Sequence, residues 1–297
     1  MNPLGEHNGG ERSFQAPSDE VEETLQKALV RAEDGEWDEA AQILREALES
    51  TPDDPYVLCW LGVAERELGL DGIAYERFKR ALAQEPTDPV LLATAGTALA
   101  AFDDPAAEAA LRTAAMTAPE SAQARWRYGA YLAREGMADE ALEELDAAVA
   151  LAPEEAVVHL ERGVARCFAN DLPGAAVSLT RAIELDPGEG WAAILLGLVQ
   201  LEIDDREEAA RMLEEGARLR PHDVEAQLLA ALALCMEGAE DRAFEMLERA
   251  RIRGDEPDRV LLLEIEARIE EGPDACLKLL HGSMGPSALR ERLTTRP

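Results

Sequence analysis

Histidine and cysteine side chains are the first candidates for chemistry, because they ligate metals and act as bases or nucleophiles. Neither type is clustered in this sequence. The histidines are His7, His159, His222 and His281, and the cysteines are Cys59, Cys167, Cys235 and Cys276. The chain also contains no HExxH motif, no phosphate-binding Gly-Lys loop and no serine nucleophile elbow. We therefore predict a non-enzymatic protein with no catalytic residues, no metal site and no cofactor, in which the cysteines are reduced and mostly buried.

Composition narrows the classes of partner that this chain can bind. Of its 297 residues, 61 are acidic and 29 are Lys or Arg, which gives a formal net charge of -32. This charge opposes binding to nucleic acid or to an anionic membrane. No secretory signal is recognisable in residues 1–18, and the most apolar stretch, 191–201, is too short to span a membrane. We expect a soluble cytoplasmic protein, and the scarcity of lysine is typical of a GC-rich bacterial genome.

A period of 33 to 34 residues runs through the sequence and indicates an internal repeat. The repeated prolines are Pro52, Pro86, Pro119, Pro153, Pro187 and Pro221. The small residues on the same period are Gly62, Gly96, Gly129, Gly163, Gly197 and Ala231. Alanines share the period from Ala40 to Ala243, each followed by a large apolar residue four positions later and a small residue three positions after that. Spacings of three and four mark one helix face, so each period predicts two helices joined by a polar turn.

These positions resemble the tetratricopeptide-repeat (TPR) family, which has small residues at positions 8 and 27, alanine at 20, a large apolar residue at 24 and proline at 32. The resemblance implies an all-α fold, a right-handed superhelical solenoid of about seven to eight helix-turn-helix repeats. We predict a flexible tail at 1–18, a solenoid at 19–283 and a C-terminal cap or tail at 284–297. The repeats are predicted near 21–54, 55–88, 89–121, 122–155, 156–189, 190–223 and 224–257, with a degenerate one at 258–283.

The resemblance also implies that the first helix of each repeat lines a concave groove, with positions 2, 5, 9, 12 and 13 facing it. Counted from residues 55, 122, 156, 190 and 224, these positions are mostly apolar. An apolar groove favours binding of a partner helix, an extended segment or the chain's own tail. The alternative is that these side chains pack against neighbouring first helices. The predicted partner-binding residues are Tyr56, Trp126, Arg127, Tyr131, Arg134, Leu160, Val164, Phe168, Trp191, Ile194, Leu198, Leu228 and Leu232.

Charged residues offer two further surfaces. Arg127 and Arg134 lie among aromatic residues and predict an anchor for an acidic or amphipathic ligand. The alternative is that Arg127 and Arg162 pair with local acids such as Glu161 and Glu135 while their stems cover apolar surface. The acidic residues of the second helices, such as Glu214 and Glu215, form either a solvated face or a surface that steers a basic partner. The lysine-rich positions that some TPR modules use to bind a C-terminal carboxylate are missing.

The leading functional hypothesis is a scaffold or adaptor that binds an apolar or amphipathic segment of another protein in its groove. The partner is expected to be a protein, with a basic surface as one option, and neither nucleic acid nor direct membrane insertion is expected. The alternatives are a chaperone-like holder of a hydrophobic client and a self-associating assembly subunit.

Overall fold

The computed structural model describes residues 16–253 and 258–294, and in these residues it contains α-helices, one π-helical turn and no strand. The all-α class is therefore confirmed. Expectations that involve residues 1–15, including His7 and most of the predicted tail, lie outside the described residues, as do Pro257 and residues 295–297.

Helices occupy most of the described chain and are numbered in chain order. They are α1 (Asp19–Glu33), α2 (Trp37–Ser50), α3 (Pro55–Glu67), α4 (Asp71–Leu82), α5 (Pro89–Ala100), α6 (Ala106–Thr117), α7 (Ala122–Arg134), α8 (Ala138–Leu151), α9 (Ala156–Phe168), α10 (Leu172–Leu185), α11 (Gly190–Glu202), α12 (Arg206–Leu219), α13 (Val224–Met236), α14 (Glu240–Arg253), α15 (Asp258–Glu271), α16 (Pro273–Leu279) and α17 (Gly285–Thr294). The π-helical turn, Leu280–Met284, joins α16 to α17.

Successive helices pack as antiparallel hairpins, as the repeat period predicts. Contacts join α1 to α2, α3 to α4, α5 to α6, α9 to α10, α11 to α12, α13 to α14 and α15 to α16. The six periodic prolines each fall between the second helix of one period and the first helix of the next, where a missing N–H breaks no helical hydrogen bond. The structure thus gives the repeated unit that the sequence predicts, two helices and a tight turn.

The tight turns end the first helix with a left-handed residue. Gly35 and Gly136 both have a φ of 79°, a region that glycine enters without a steric cost. In other turns Asp103 and Asn170 adopt the same region, with φ values of 53° and 59°. Their short polar side chains tolerate this conformation better than most residues do. The carboxylate of Asp171 then caps α10 by accepting from the backbone N–H of Gly174 at 3.0 Å.

Small residues at position 8 allow the two helices of a hairpin to approach closely. A Cβ on Gly163 would lie 2.8 Å from Cγ of Leu179, and a Cβ on Gly197 would lie 2.7 Å from Cγ of Leu213. The same pairing joins Gly62 to Phe78 in the hairpin of α3 and α4. Position 8 is therefore small because position 24 of the same hairpin fills the space beside it.

The chain forms two compact units, Met1–Tyr131 and Leu132–Pro297. The main core of the first unit includes Leu58, Leu61 and Phe78, each at most 1% exposed. The core of the second unit extends over the hairpins from α9 to α16 and also includes Leu289 and Leu293 of α17. None of the described helices combines the length and apolar character needed to cross a bilayer, and the cytoplasmic location stays a prediction.

Candidate protein-binding site

Most of the predicted groove residues of the second unit lie in its core. Phe168 is half-buried and packs against the same core, and Arg134 is exposed. The remaining ones, each at most 3% exposed, are Leu160, Val164, Trp191, Ile194, Leu198, Leu228 and Leu232. This matches the alternative in which such side chains pack against neighbouring helices. A direct role of these residues in partner binding stays a prediction, and in this structure they are not accessible to a partner.

The C-terminal segment of the chain covers part of this region. Helix α13 contacts both α16 and the π-helical turn, and α11 contacts α17. At Gly285 the approach is close, since a Cβ there would lie 2.6 Å from Cδ2 of Leu201 in α11. The sequence predicts a C-terminal cap or tail at 284–297, and in the structure α17 lies against α11, four helices before α15.

An ion-pair cluster fixes the far end of α17. Both terminal nitrogens of Arg292 lie 2.9 Å from the carboxylate oxygens of Asp223, and Nη2 also donates to Glu225 at 2.8 Å. Arg292 is only 8% exposed. Burial favours protonation of Asp223, but the hydrogen bonds and charge of Arg292 outweigh it and hold the pKa of Asp223 below its ordinary value. Sequence reasoning missed this cluster because no local pattern links residues 223 and 292.

In the first unit, Tyr56 has a structural role. Its side chain is buried, and its hydroxyl donates to Oδ2 of Asp88 at 3.0 Å. Asp88 in turn caps α5 by accepting from the backbone N–H groups of Val90 and Leu91. Burial, followed by the negative charge of Asp88, raises the pKa of Tyr56. Tyr56 therefore ties α3 to the start of α5, and its predicted contact with a partner stays untested.

In the predicted basic and aromatic cluster, Arg127, Tyr131 and Arg134 all contact neighbouring residues of the chain. Arg127 places its guanidinium 5.3 Å from the ring centre of Trp126 and donates to Thr94 at 3.3 Å. Tyr131 packs against the core of the first unit. Within the second unit, Arg134 lies 3.5 Å from the buried carboxylate of Glu161. Local contacts therefore hold Arg127 and Arg134, and Arg162 lies 3.3 Å from Asp146.

The first unit contains an apolar pocket of about 80 Å³ between α1, α2 and α3. Its lining is entirely apolar and includes Leu25, Leu29, Trp37, Leu44, Trp60 and Val63. Both tryptophans, Leu29 and Val63 are only partly buried, so the pocket opens to solvent. A pocket with this lining accepts the tip of an apolar side chain and gives no polar group to orient a reaction.

Sequence reasoning missed this pocket, although a signal for it was present. The groove positions predicted from the sequence start at residue 55 and leave out the first repeat. The same count from Val21 places Leu25, Leu29 and Ala32 at positions 5, 9 and 12, and all three line the pocket. The groove positions used for the later repeats therefore also identify these pocket residues in the first repeat.

The four cysteines are free thiols. Burial raises the pKa of Cys59 and of Cys167 to about 12, and it also raises the pKa of Cys276 beside Cys235. Thiols with such pKa values remain protonated at neutral pH. Across residues 16–253 and 258–294, no group of three or more His, Cys, Asp or Glu side chains is arranged to hold a metal ion.

Arginines pair with several acidic residues of α12 and α14. In α12, Glu208 accepts from Arg211 at 2.7 Å and Glu215 accepts from Arg218 at 2.9 Å. Glu214 pairs with Arg242 of α14, which links two successive second helices. These pairs support the solvated-face interpretation of this surface and weaken the case for a site that steers a basic partner here.

Comparisons with known proteins agree with this architecture. A family model described as tetratricopeptide repeat matches residues 25–89, and a second model with the same description matches residues 169–232. The matched segments begin in α1 and end at α5 in the first unit, and run from the end of α9 into α13 in the second. This chain is a tetratricopeptide-repeat protein. A search of curated proteins returned no match.

Several solved structures share the fold of this TPR protein. The APC/C hetero-tetramer Cut9-Hcn1 aligns over 82% of this chain with a TM-score of 0.67 and 17% identity, and this chain spans about half, 48%, of that chain. PilF of Pseudomonas aeruginosa aligns over 67% of this chain and 91% of its own, with a TM-score of 0.54 and 21% identity. The C-terminal part of a TPR repeat-containing protein from Cytophaga hutchinsonii aligns over 81% and 98%, with a TM-score of 0.50 and 15% identity. At these identities the likeness shows the fold alone.

Proposed function

We propose that this TPR protein is a non-enzymatic adaptor that binds an apolar or amphipathic segment of a partner protein. The observation that supports it is the open pocket between α1, α2 and α3, which is apolar throughout its lining. A large apolar side chain of the partner enters this pocket as an anchor. Burial of a single Leu or Phe side chain contributes about 1.5–3 kcal/mol, which is enough for specificity when neighbouring backbone contacts add to it.

The charge around the pocket favours a partner with basic residues beside its anchor. Residues 19–39, which contain α1 and the start of α2, include nine acidic residues and only two basic ones. The whole chain is also strongly acidic, with a net charge of -32. Such a surface attracts a basic segment over a distance. Added salt screens the charges and therefore weakens the binding of that segment.

Leu29 and Val30 provide a matched pair of substitutions for testing the pocket. Leu29 lines the pocket, whereas its neighbour Val30 is 48% exposed and is not part of the lining. The experiment selects binding peptides from a displayed library with the wild-type chain, then measures their affinity for Leu29→Glu and Val30→Glu. Trp37 and Trp60 lie in the lining, so their fluorescence emission reports directly on occupancy.

The proposal expects peptides with a large apolar residue flanked by Lys or Arg. Leu29→Glu is expected to weaken their binding by about tenfold or more, since it places a charge at an apolar contact, and Val30→Glu by much less. Circular dichroism first establishes that both variants retain the wild-type helicity. Equal binding by all three proteins, or selected peptides without an apolar anchor, would contradict the proposal.

A further inference from the structure

Helix α17 reaches further than a terminal cap requires. A cap need only cover the last hairpin, α15 and α16, yet α17 contacts α11. Its buried residues are Gly285, Ala288, Leu289, Arg292 and Leu293. They are spaced by three and four positions, which places them on one face of the helix. Arg290 and Glu291 on the other side are exposed. This is the arrangement of an amphipathic helix bound in a groove.

The contacts of α17 combine shape and charge. At its start, Gly285 lies so close to Leu201 that a Cβ would clash, and in the middle Ala288 and Leu289 enter the core. At its end, the fork of Arg292 binds Asp223 through both terminal nitrogens and also reaches Glu225. A bidentate arginine–carboxylate pair fixes both position and register. The surface therefore selects a helix by three features at defined spacings.

The stability of α17 depends on this surface. A helix of ten residues is marginal in water on its own, because nucleation is costly and few hydrogen bonds repay it. Its folded state thus depends on the burial and ion pairs that α11 and α13 provide. Because α17 is the last described helix, its release does not require a hairpin to unfold.

We propose that the surface of α11 and α13 covered by α17 is a second partner-binding surface, and that an amphipathic helix of a partner protein binds it by replacing α17. The partner helix carries a small residue, an Ala-Leu pair three and four positions later, and an Arg-Leu pair seven and eight positions later. This is the register of Gly285, Ala288, Leu289, Arg292 and Leu293. The surface lies in the second unit, whereas the pocket of the proposed function lies in the first.

The test uses the full chain and a fluorescein-labelled synthetic peptide of residues 283–294. Arg292→Glu in the chain removes the ion pairs that hold α17, whereas Arg290→Glu makes the same charge change on its exposed side. Anisotropy is expected to show the peptide binding to Arg292→Glu at least about tenfold more tightly than to wild type or to Arg290→Glu, because the resident helix no longer competes. A peptide with glutamate at the position of Arg292 is expected to bind none of the three chains.

Hydrogen exchange of residues 285–294 distinguishes the outcomes. Faster exchange in Arg292→Glu without peptide binding would show that the surface accepts no helix in trans, and unchanged exchange would show that the ion pairs do not hold α17. Either result overturns the proposal. If Arg292→Glu fails to fold, Gly285→Leu expels α17 by its clash with Leu201 and is expected to bind the wild-type peptide in the same way.

Two controls separate this proposal from its alternatives. A wild-type dimer in sedimentation that dissociates on adding the peptide would assign the surface to a second copy of the chain and overturn the partner-helix proposal. Leu29→Glu is expected to leave peptide binding by Arg292→Glu unchanged, since Leu29 belongs to the pocket of the first unit. Failure at one surface is therefore distinguishable from failure at the other.

Discussion

Single glycines set the distance between the helices of a hairpin. At Gly163 there is no room for even one carbon atom beside Leu179, whereas a Cβ on Gly72 of α4 would meet nothing within 4 Å. A side chain is therefore excluded at Gly163, whereas there is space for one at Gly72. One is needed for packing, and the other only leaves the backbone more flexible than alanine would.

We predict that Gly163→Ala lowers the free energy of unfolding by about 1–3 kcal/mol, because the added methyl overpacks the contact with Leu179. Gly72→Ala is the control, and it is expected to be neutral or to stabilise by up to about 1 kcal/mol. Urea denaturation followed by circular dichroism measures both. Equal stability of the two variants would show that the hairpin adjusts without cost.

Asp223 gives a prediction for the pH dependence of stability. Its pKa lies below the ordinary value of 3.8 in the folded chain, mainly because Arg292 outweighs the effect of burial, with Arg220 adding a smaller contribution. A carboxyl group whose pKa is lower in the folded chain than in the unfolded chain stabilises the fold at pH values above its pKa in the unfolded chain. This stabilisation is lost as the pH falls through the pKa of the group in the folded chain. Glu225 faces the same arginine, but burial raises its pKa, so its titration acts in the opposite direction.

We therefore expect Asp223→Asn to be less stable than wild type at pH 7, with a difference that shrinks as pH falls below 3.8. Asparagine can still cap α13 through its Oδ1, which accepts from the backbone N–H of Ala226 in the wild type. Its amide nitrogen cannot accept from Arg292, so the substitution removes the charge together with one of the two Arg292 hydrogen bonds. Denaturation at a series of pH values measures the difference. A difference that stays constant down to pH 2 would mean that the Arg292 pair contributes nothing to stability.

At the scale of elements, the hairpin turns divide into two types that serve the same geometry. Some turns use glycine at the left-handed position, whereas the turn between α9 and α10 uses Asn170 with a φ of 59°. We predict that Asn170→Gly is neutral or stabilises the chain, and that Asn170→Ala destabilises it by about 1 kcal/mol, since a Cβ is disfavoured there. Thermal unfolding of the three proteins measures the order, and a more stable alanine variant would contradict this account.

The hairpins were predictable from sequence because their determinants are local and repeated. The period fixes the prolines between hairpins, and the pairing of Gly197 with Leu213 follows from two positions in the same repeat. Even in the degenerate eighth repeat, Gly272 marks the turn, with a φ of 102°. The docking of α17 was not predictable, because Arg292 finds its partners 67 and 69 residues away. Helical periodicity predicts that a segment is a helix and which face is apolar, but not which distant surface it covers.

At the scale of the whole molecule, the net charge of -32 dominates the electrostatics. Repulsion among the excess carboxylates opposes the compact state, and salt screens it. The exposed ion pairs, such as Arg211 with Glu208, each contribute less than about 1 kcal/mol and lose strength in salt.

We predict that the midpoint of thermal unfolding rises between 10 and 150 mM salt, roughly the range over which the Debye length falls from about 30 to 8 Å. Calorimetry with NaCl and KCl measures this, and a falling midpoint would mean that the ion pairs outweigh the repulsion.

The recurring contact between a position-8 glycine and the large side chain sixteen residues later constrains how this protein can evolve. Gly163 with Leu179 and Gly197 with Leu213 are the same joint, repeated one period apart. A duplication or deletion of one whole period leaves every such joint intact, whereas one of half a period would place a first helix where a second one is required. Insertions and deletions of whole repeats therefore preserve these contacts, whereas cuts of other lengths break them.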